Sequence, residues 1–230
     1  MSETRQDRLI VSSPLSGWCA GLDDSPDPVF RDGILGDGLS IDPTVGEVRA
    51  PFDGEVLTVP DSLHAINLRS HCGAEFLVHI GIDSVRMAGD GFHAHVKPGD
   101  RIVTGQLLLE FDLDLVLREA SSLKTPVLLL RSDAYQIGEM HPQGPVKAGD
   151  ELFVVHGVAG ETQEPPEMEQ GENITRIVAV GLEHGIHARP AALVVSAVKG
   201  FDARVLCQFG EGDKADASSA VALMSLGISY

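Results

Sequence analysis

Positive charge is what this sequence lacks. Its 17 Lys and Arg stand against 34 Asp and Glu, a formal net charge of −17. Phosphate backbones and anionic lipid headgroups both demand a Lys/Arg surplus, so the balance argues against a nucleic-acid partner and against direct binding to a membrane surface. Cysteine is scarce as well: Cys19, Cys72 and Cys207 are scattered, odd in number and form no CxxC. They read as three reduced thiols, not as a disulfide framework. No apolar run approaches the ~20 residues that span a bilayer. The amino-terminal MSETRQDR has none of the apolar core of a signal peptide. These absences together lead us to expect a cytoplasmic protein. What is present is ordinary globular material, 43% hydrophobic and 22% charged over 230 residues. That is enough for a core and for one or two domains.

Residues 1–157 consist of short apolar runs broken by Gly, Pro and Asp. Gly54–Val59, Ala65–Leu68, Glu75–Ile80, Gln106–Phe111 and Thr125–Leu130 are too short for typical helices and are bounded by turn residues, which predicts an all-β sandwich or barrel. One helix is expected at Leu113–Ser121, with Leu113, Val116 and Leu117 on one face and Asp112 or Asp114 at its start. Val96-Lys-Pro-Gly-Asp-Arg-Ile-Val recurs as Val146-Lys-Ala-Gly-Asp-Glu-Leu-Phe, two similar strand–turn–strand elements. Residues 158–172 change character: five glutamates, two prolines and no apolar periodicity make a solvated, semi-stiff linker. From 173 to 230 the pattern is α+β: a strand at Ile174–Val180, a helix at Ala191–Val198, a strand at Arg204–Phe209, and a helix at Ala217–Leu226 stopped by Gly227. So few elements leave one sheet face poorly covered.

Histidines carry the chemical signal. If Ser70-His-Cys-Gly73 closes a hairpin without a bulge, paired residue numbers sum to 143. Ile66 then faces Leu77 and His64 faces His79. Directly opposed side chains have Cβ atoms roughly 4.5–5.5 Å apart, close enough for two imidazoles to share a metal ion or a phosphate. The alternative is two unrelated histidines in a register shifted by a bulge. Asp83, four residues after His79, either orients the imidazole by accepting one ring N–H or is a turn residue. His93-Ala-His95 has a spacing common among metal ligands, and zinc peptidases of the LytM type carry an HxH on a β-rich fold. They place it after a strand–turn element like that at 96–111, whereas here it comes before, so solvent-side strand residues are the preferred reading. His71 falls in a turn.

Gly185-Ile-His187-Ala-Arg189-Pro190-Ala-Ala is the sharpest local pattern. Pro190 suits a first helical position, which places His187 just before a helix amino terminus, where backbone N–H groups and the helix dipole favour an anion. Arg189 adds a planar fork for phosphate oxygens. The plainer reading is a His capping a helix beside a surface Arg.

These residues resemble known families. Gly181-Leu-Glu-His-Gly-Ile-His-Ala-Arg-Pro-Ala-Ala and Ala217-Ser-Ser-Ala-Val-Ala-Leu-Met-Ser-Leu-Gly-Ile228 are similar to the active-site motif and second helix of HPr, the phosphocarrier of the bacterial sugar phosphotransferase system. Nearly all of residues 8–155 resemble that system's glucose-type IIA component. The resemblance rests on Ser13-Pro-Leu-Ser-Gly17, Pro28-Val-Phe30, Ala50-Pro-Phe-Asp-Gly-Glu-Val, His64-Ala-Ile, Glu75 to Val85, Gly89-Asp-Gly-Phe92, Gly105-Gln, Glu110-Phe-Asp112 and Thr125-Pro-Val127.

The resemblance implies a mainly β IIA domain over 1–157, a barrel-sandwich hybrid, followed by the linker at 158–172 and a partial α+β HPr-like open-faced sandwich over 173–230. It implies that His79 is phosphorylated, that His64 hydrogen-bonds its phosphate, and that His187 carries phosphate with Arg189 in support. Ser219 falls where some relatives have a regulatory serine. The HPr family has another strand and a closing helix after the position of Tyr230, so the chain reads as the front of a longer IIA–HPr–enzyme I fusion. The expected partners are enzyme I, HPr and IIB/IIC permease proteins, with the membrane met only through the permease, no nucleic acid and no cofactor. The expected function is relay of phosphate from phosphoenolpyruvate through enzyme I, His187 and His79 to a IIB cysteine, with Leu77, Ile80 and Val85 as an apolar docking face. A second reading is a regulatory module whose His64/His79 face binds permeases or kinases, with a bridging zinc as an option. A third is the LytM-type peptidase, which needs a third metal ligand near His93 and His95.

Overall fold

The computed structural model of the protein describes residues 8–130, 134–158, 174–178, 186, 188–198, 200–201, 203–210, 212, 214–224 and 226. Its strands are β1 (Arg8–Ser12), β2 (Gly17–Gly21), β3 (Gly36–Pro43), β4 (Glu47–Arg49), β5 (Gly54–Thr58), β6 (Ala65–Ser70), β7 (Glu75–His79), β8 (Phe92–Ala94), β9 (Arg101–Ile102), β10 (Leu107–Phe111), β11 (Thr125–Leu130), β12 (Tyr135–Met140), β13 (Gly144–Val146), β14 (Glu151–Gly157), β15 (Leu206–Gln208) and β16 (Lys214–Asp216). The helices are α1 (Pro28–Arg31), α2 (Leu113–Glu119), α3 (Ala188–Val198) and α4 (Ala220–Met224).

An eight-stranded sheet in the order β13-β2-β3-β11-β7-β6-β5-β9 packs one face against two three-stranded sheets, β1-β14-β12 and β4-β10-β8. Ile41, Ile66, Leu68, Phe76, Val78 and Val127 from the large sheet meet Val11, Val48, Leu108, Phe153 and Val155 from the small ones. The result is mainly β and sandwich-like. It corrects the barrel expectation: among the described residues no sheet closes, because β13 and β9 stand at opposite ends of the large sheet and do not pair.

The short apolar runs are strands where expected, and α2 starts on Asp112, whose carboxylate accepts the Leu115 N–H at 2.9 Å. Val116 is buried, but Leu117, placed on the same face from sequence, is 60% exposed. The two echoed elements form the same turn. Lys97 and Lys147 each donate their backbone N–H to the carboxylate three residues on, with Gly99 and Gly149 at φ +88° and +94°.

The other face of the large sheet carries Leu77, Leu128 and Leu130, with Ala65 and His79. The 22–31 segment lies over it. Asp27 caps α1 through the Val29 N–H, Pro28 opens the helix, and Lys124 ties Asp24 and Asp42 together at 2.7 and 3.3 Å. Also on this face lie α3 and α4, which contribute buried Ala192 and half-buried Ala220 and Met224.

Residues beyond 173 differ from expectation at several points. Residues 174–178 are irregular where a strand was expected over Ile174–Val180, and Val180 lies outside the described residues. Helix α3 begins at Ala188, so Pro190 sits third, still within the first turn whose N–H groups have no intrahelical partner. The second helix is shorter than expected, Ala220–Met224, and Gly227 lies outside the described residues. Strand β16 pairs antiparallel with β15.

Candidate functional site

His79 ends β7 on the outer face of the large sheet. Gly81 then turns the chain away at φ +67°, a position where an added Cβ would sit 3.1 Å from both the Ser122 carbonyl and the Val116 side chain. The turn aims the Gly81 carbonyl back at the ring, and Nδ1 of His79 donates to it at 2.8 Å. A carbonyl only accepts, so Nδ1 bears the proton and the lone pair of the neutral imidazole is on Nε2. Phe30 of α1 packs edge-on against the ring, with centroids 5.1 Å apart.

His64 joins it. The two imidazole centroids are 4.9 Å apart at 77°, and the residues are 2% and 5% exposed. The juxtaposition was expected, but its stated cause is wrong. The hairpin loop has three residues, His71-Cys72-Gly73, with Gly73 at φ +95°, so pairs sum to 144 and Ala65, not His64, faces His79. Ile66 likewise pairs with Val78, not Leu77. One extra loop residue flips every side chain of a strand to the other face. His64 escapes that flip because it precedes β6. Leu63 before it is at φ +51°, rare for a branched residue, and there the chain leaves the ladder geometry. Ser62 Oγ lies 2.7 Å from His64 Nδ1.

Asp83 does not orient the imidazole. It occupies a left-handed turn at φ 62°; its Oδ2 accepts from the Ser121 hydroxyl at 2.7 Å and its Oδ1 from Arg189 at 2.9 Å. Burial alone would raise this carboxyl, but the Ser121 and Arg189 hydrogen bonds and the charges of Arg189 and Arg86 outweigh it and hold it below the usual carboxylate range.

The same Nη2 of Arg189 also donates to Asp27 Oδ2 at 2.7 Å. That bond, with the Asp27 and Asp83 charges, pushes the guanidinium above its ordinary value and outweighs burial, which acts the other way. One cation thus bridges two carboxylates that line the same pocket as His79. Since the Arg189 side chain is still 45% exposed, each pair contributes at most ~1 kcal/mol. Arg189, Asp27, Asp83, Phe30, Val85 and His79 line a common cavity of about 10 Å³. A larger cavity of about 270 Å³, lined by Leu35, Glu75, Tyr135, Val195 and Ser219 among others, holds no histidine. The small cavity is where the chemistry-bearing groups converge. Ser219 caps α4, accepting the Ala222 N–H at 3.2 Å. His187 lies outside the described residues.

Of the expected apolar docking residues, Leu77 belongs to the outer-face cluster and Val85 to the cavity wall, whereas Ile80 points into the core between the sheets. Asp27 and Phe30 went unrecognised as site residues. Ser25-Pro-Asp27-Pro28 signals a capped helix start, but nothing local says what that helix covers. His93 and His95 are exposed on and just after β8, as expected, with His95 Nε2 2.6 Å from Glu110. Among the described residues no group of three or more His, Cys, Asp or Glu is arranged to hold a metal ion, which removes the basis for the peptidase reading. His64 and His79 alone are two donors short of a four-coordinate zinc, and His79 Nδ1 is engaged by a carbonyl. No helix among the described residues is long and apolar enough to cross a membrane.

Comparison with known proteins agrees with this arrangement. The family model for the phosphoenolpyruvate-dependent sugar phosphotransferase system, EIIA 1, matches residues 9–135, and the model for the PTS HPr component phosphorylation site matches residues 174–230. The glucose-specific EIIA component of the PTS system from Halalkalibacterium halodurans is 40% identical over 151 residues, covering 66% of this chain and 87% of that protein. The glucose permease IIA structure from Mycoplasma capricolum superposes with a TM-score of 0.62 at 31% identity, over 64% of this chain and 96% of that one. The buried histidine pair thus stands in a glucose-type IIA domain followed by an HPr-like domain, and the chain belongs to the EIIA 1 family of phosphoryl carriers in the sugar phosphotransferase system.

Proposed function

We propose that the chain relays a phosphoryl group between two of its own histidines, from His187 to His79 and on to a cysteine of a IIB component, in service of uptake of a sugar such as glucose. The division of labour is 1–157 as the sandwich-like IIA domain, 158–172 as linker and 173–230 as an HPr-like open-faced sandwich. Enzyme I, HPr and the IIB/IIC permease are its partners, and the cytoplasm is its compartment.

One observation carries this reading: Arg189, two residues from His187, forms part of the wall of the His79 cavity. Each transfer breaks the bond from phosphorus to the donor nitrogen as the bond to the acceptor atom forms. Catalysis of such a loose transition state is mostly in-line positioning and charge stabilisation. The Gly81 carbonyl sets the tautomer, so the lone pair that attacks is the one on Nε2. His64 supplies a neighbouring imidazole for the phosphoryl oxygens, and Phe30 and Val85 keep water away.

The test is intact mass and 31P NMR after incubation with phosphoenolpyruvate, enzyme I and HPr. The chain should take up phosphate on both histidines. His79→Ala with His187→Ala should take up none, and His187→Ala alone should still be phosphorylated at His79 by external HPr. Phosphate retained by the double variant would defeat the assignment.

A further inference from the structure

We propose that Asn67 is a further group of the phosphoryl site: its carboxamide turns over and donates an N–H to the phosphoryl group carried by His79. This rests on the reading of His79 as the phosphoryl acceptor and adds a residue to that site. Among the described residues, the buried side-chain atoms without a hydrogen-bond partner are Ser40 Oγ and Asn67 Oδ1, on residues 1% and 2% exposed. A polar group buried and left unpaired is a cost to folding that calls for a reason. Leu39 and Ile41 on either side of Ser40, and Ile66 and Leu68 on either side of Asn67, point into the core between the sheets. Side chains alternate along a strand, so both orphans are on the outer face of the large sheet, the face of His79.

Position singles out Asn67. In the β6–β7 ladder Ala65 faces His79 and Asn67 faces Leu77, so Asn67 is the diagonal neighbour of His79 on the same face. Such neighbours lie about 7–8 Å apart, within reach of long side chains. His64 and Asn67 bracket Ala65, which contributes only a methyl group opposite the ring. An imidazole, its phosphoryl group and a carboxamide together span that separation. Ser40 is farther off: it faces Pro126 of β11, the strand that stands between it and β7.

Hydrogen-bond chemistry gives the orphan its reason. Asn67 Nδ2 donates to Thr58 Oγ1 at 2.5 Å, which leaves the carbonyl end without a donor. Ionised phosphoryl oxygens accept and do not donate, so that end cannot meet them. A threonine hydroxyl does both. Half a turn of the carboxamide therefore keeps the Thr58 bond, now from its O–H to Oδ1, and presents the N–H groups on the side that was orphaned. A hydrogen bond to an ionised acceptor is about twice as strong as a neutral one. The amide is thus unpaired before transfer and paired after it, and that difference favours the phosphorylated state and the charge that develops on the way to it.

The sequence makes the test selective, because the chain holds two asparagines, Asn67 and Asn173. Full chain labelled with 15N on asparagine side chains gives two amide pairs, and Asn173→Ser leaves that of Asn67. Spectra are taken before and after phosphorylation from phosphoenolpyruvate, enzyme I and HPr, with His187→Ala to keep the second phosphohistidine out of the reading and phosphate on His79 counted by mass. One Asn67 amide proton should move downfield and exchange more slowly once His79 carries phosphate. Asn67→Leu, and independently Asn67→Ala, should lower the maximal rate of transfer from HPr to His79 at least roughly tenfold at unchanged KM, the loss expected for one charge-assisted hydrogen bond. The amide reading needs no substitution at 67, so it decides the matter where a variant fails to fold. Unmoved Asn67 signals in a chain whose His79 carries phosphate overturn the proposal and leave the relay standing. So do variants with unchanged kinetics, or with a raised KM alone, the mark of a docking contact. Failure of phosphate to reach His79 overturns the relay itself, and the role of Asn67 with it.

Discussion

The sheets of residues 8–158 share one core, to which β1, β4, β7, β10, β11 and β14 each send buried side chains. The region from 174 onward has Ala191, Val195, Ala217 and Leu223. Outside that small cluster, Ile177 is fully exposed, and Ile174, Val178, Phe201 and Phe209 are each more than half exposed. Yet the second region carries the more specific sequence motif. A motif records what the chemistry needs within one turn of chain, whereas stability follows from apolar area removed from water, and the two need not be found together. The second region takes part of its burial from the first, since Ala192, with Ala220 and Met224 packed beside it, completes a cluster otherwise built from the IIA surface.

The contrast can be broken most sharply by core truncation. Phe76→Ala, at a fully buried residue against Phe52 and Phe153, should cost about 3–5 kcal/mol in urea unfolding of the β region. Val195→Ala should leave that transition within ~0.5 kcal/mol and act only on the second region. If both substitutions shift one shared transition equally, the two regions fold as one unit and the contrast fails.

A smaller effect sharpens the picture of the β region. Gly99 and Gly149 occupy the same position of the echoed turn, and each has open space where a Cβ would sit. Gly99→Ala and Gly149→Ala should therefore cost only the backbone penalty, about 1–2 kcal/mol each and nearly equal. Unequal costs by thermal unfolding would mean the resemblance of the two turns is superficial.

The smallest expected effect is pH dependence at the seam between the regions. The Asp83 carboxyl is held below its ordinary value in the folded chain. Its contribution is thus present above the unfolded carboxylate value of about 3.9 and is lost as pH falls through the lowered folded value. Stability measured from pH 6 down to pH 2 should decline less steeply in Asp83→Asn. An unchanged slope would show that Asp83 stabilises nothing at the seam.

Much of the fold was legible because strands this short, bounded by Gly, Pro and Asp, leave few alternatives. The capped start of α2 at Asp112 and the paired Gly-Asp turns are local physics and could be read directly. The hairpin was the instructive failure. Ser70 to Gly73 reads as a two-residue loop or, with Gly73 in the left-handed region, as a three-residue one, and the choice reverses which face His79 shares. The histidines meet anyway, because His64 lies before the first ladder residue, where Leu63 breaks the alternation. Asp27 and Phe30 were invisible as site residues because they are about fifty residues from His79 in the chain and reach it only through α1 folding over the sheet.

The sequence by itself determined which side chains could do chemistry here, since imidazoles, a guanidinium and a helix start are properties of a few adjacent residues. It also determined the β character of the larger region, through its short apolar runs and the turn residues that bound them. Only the tertiary structure decided which of those groups share a cavity. Arg189 and Asp27 are 162 positions apart, and nothing short of packing α3 across α1 brings a buried carboxylate and a distant cation to within a hydrogen bond of each other.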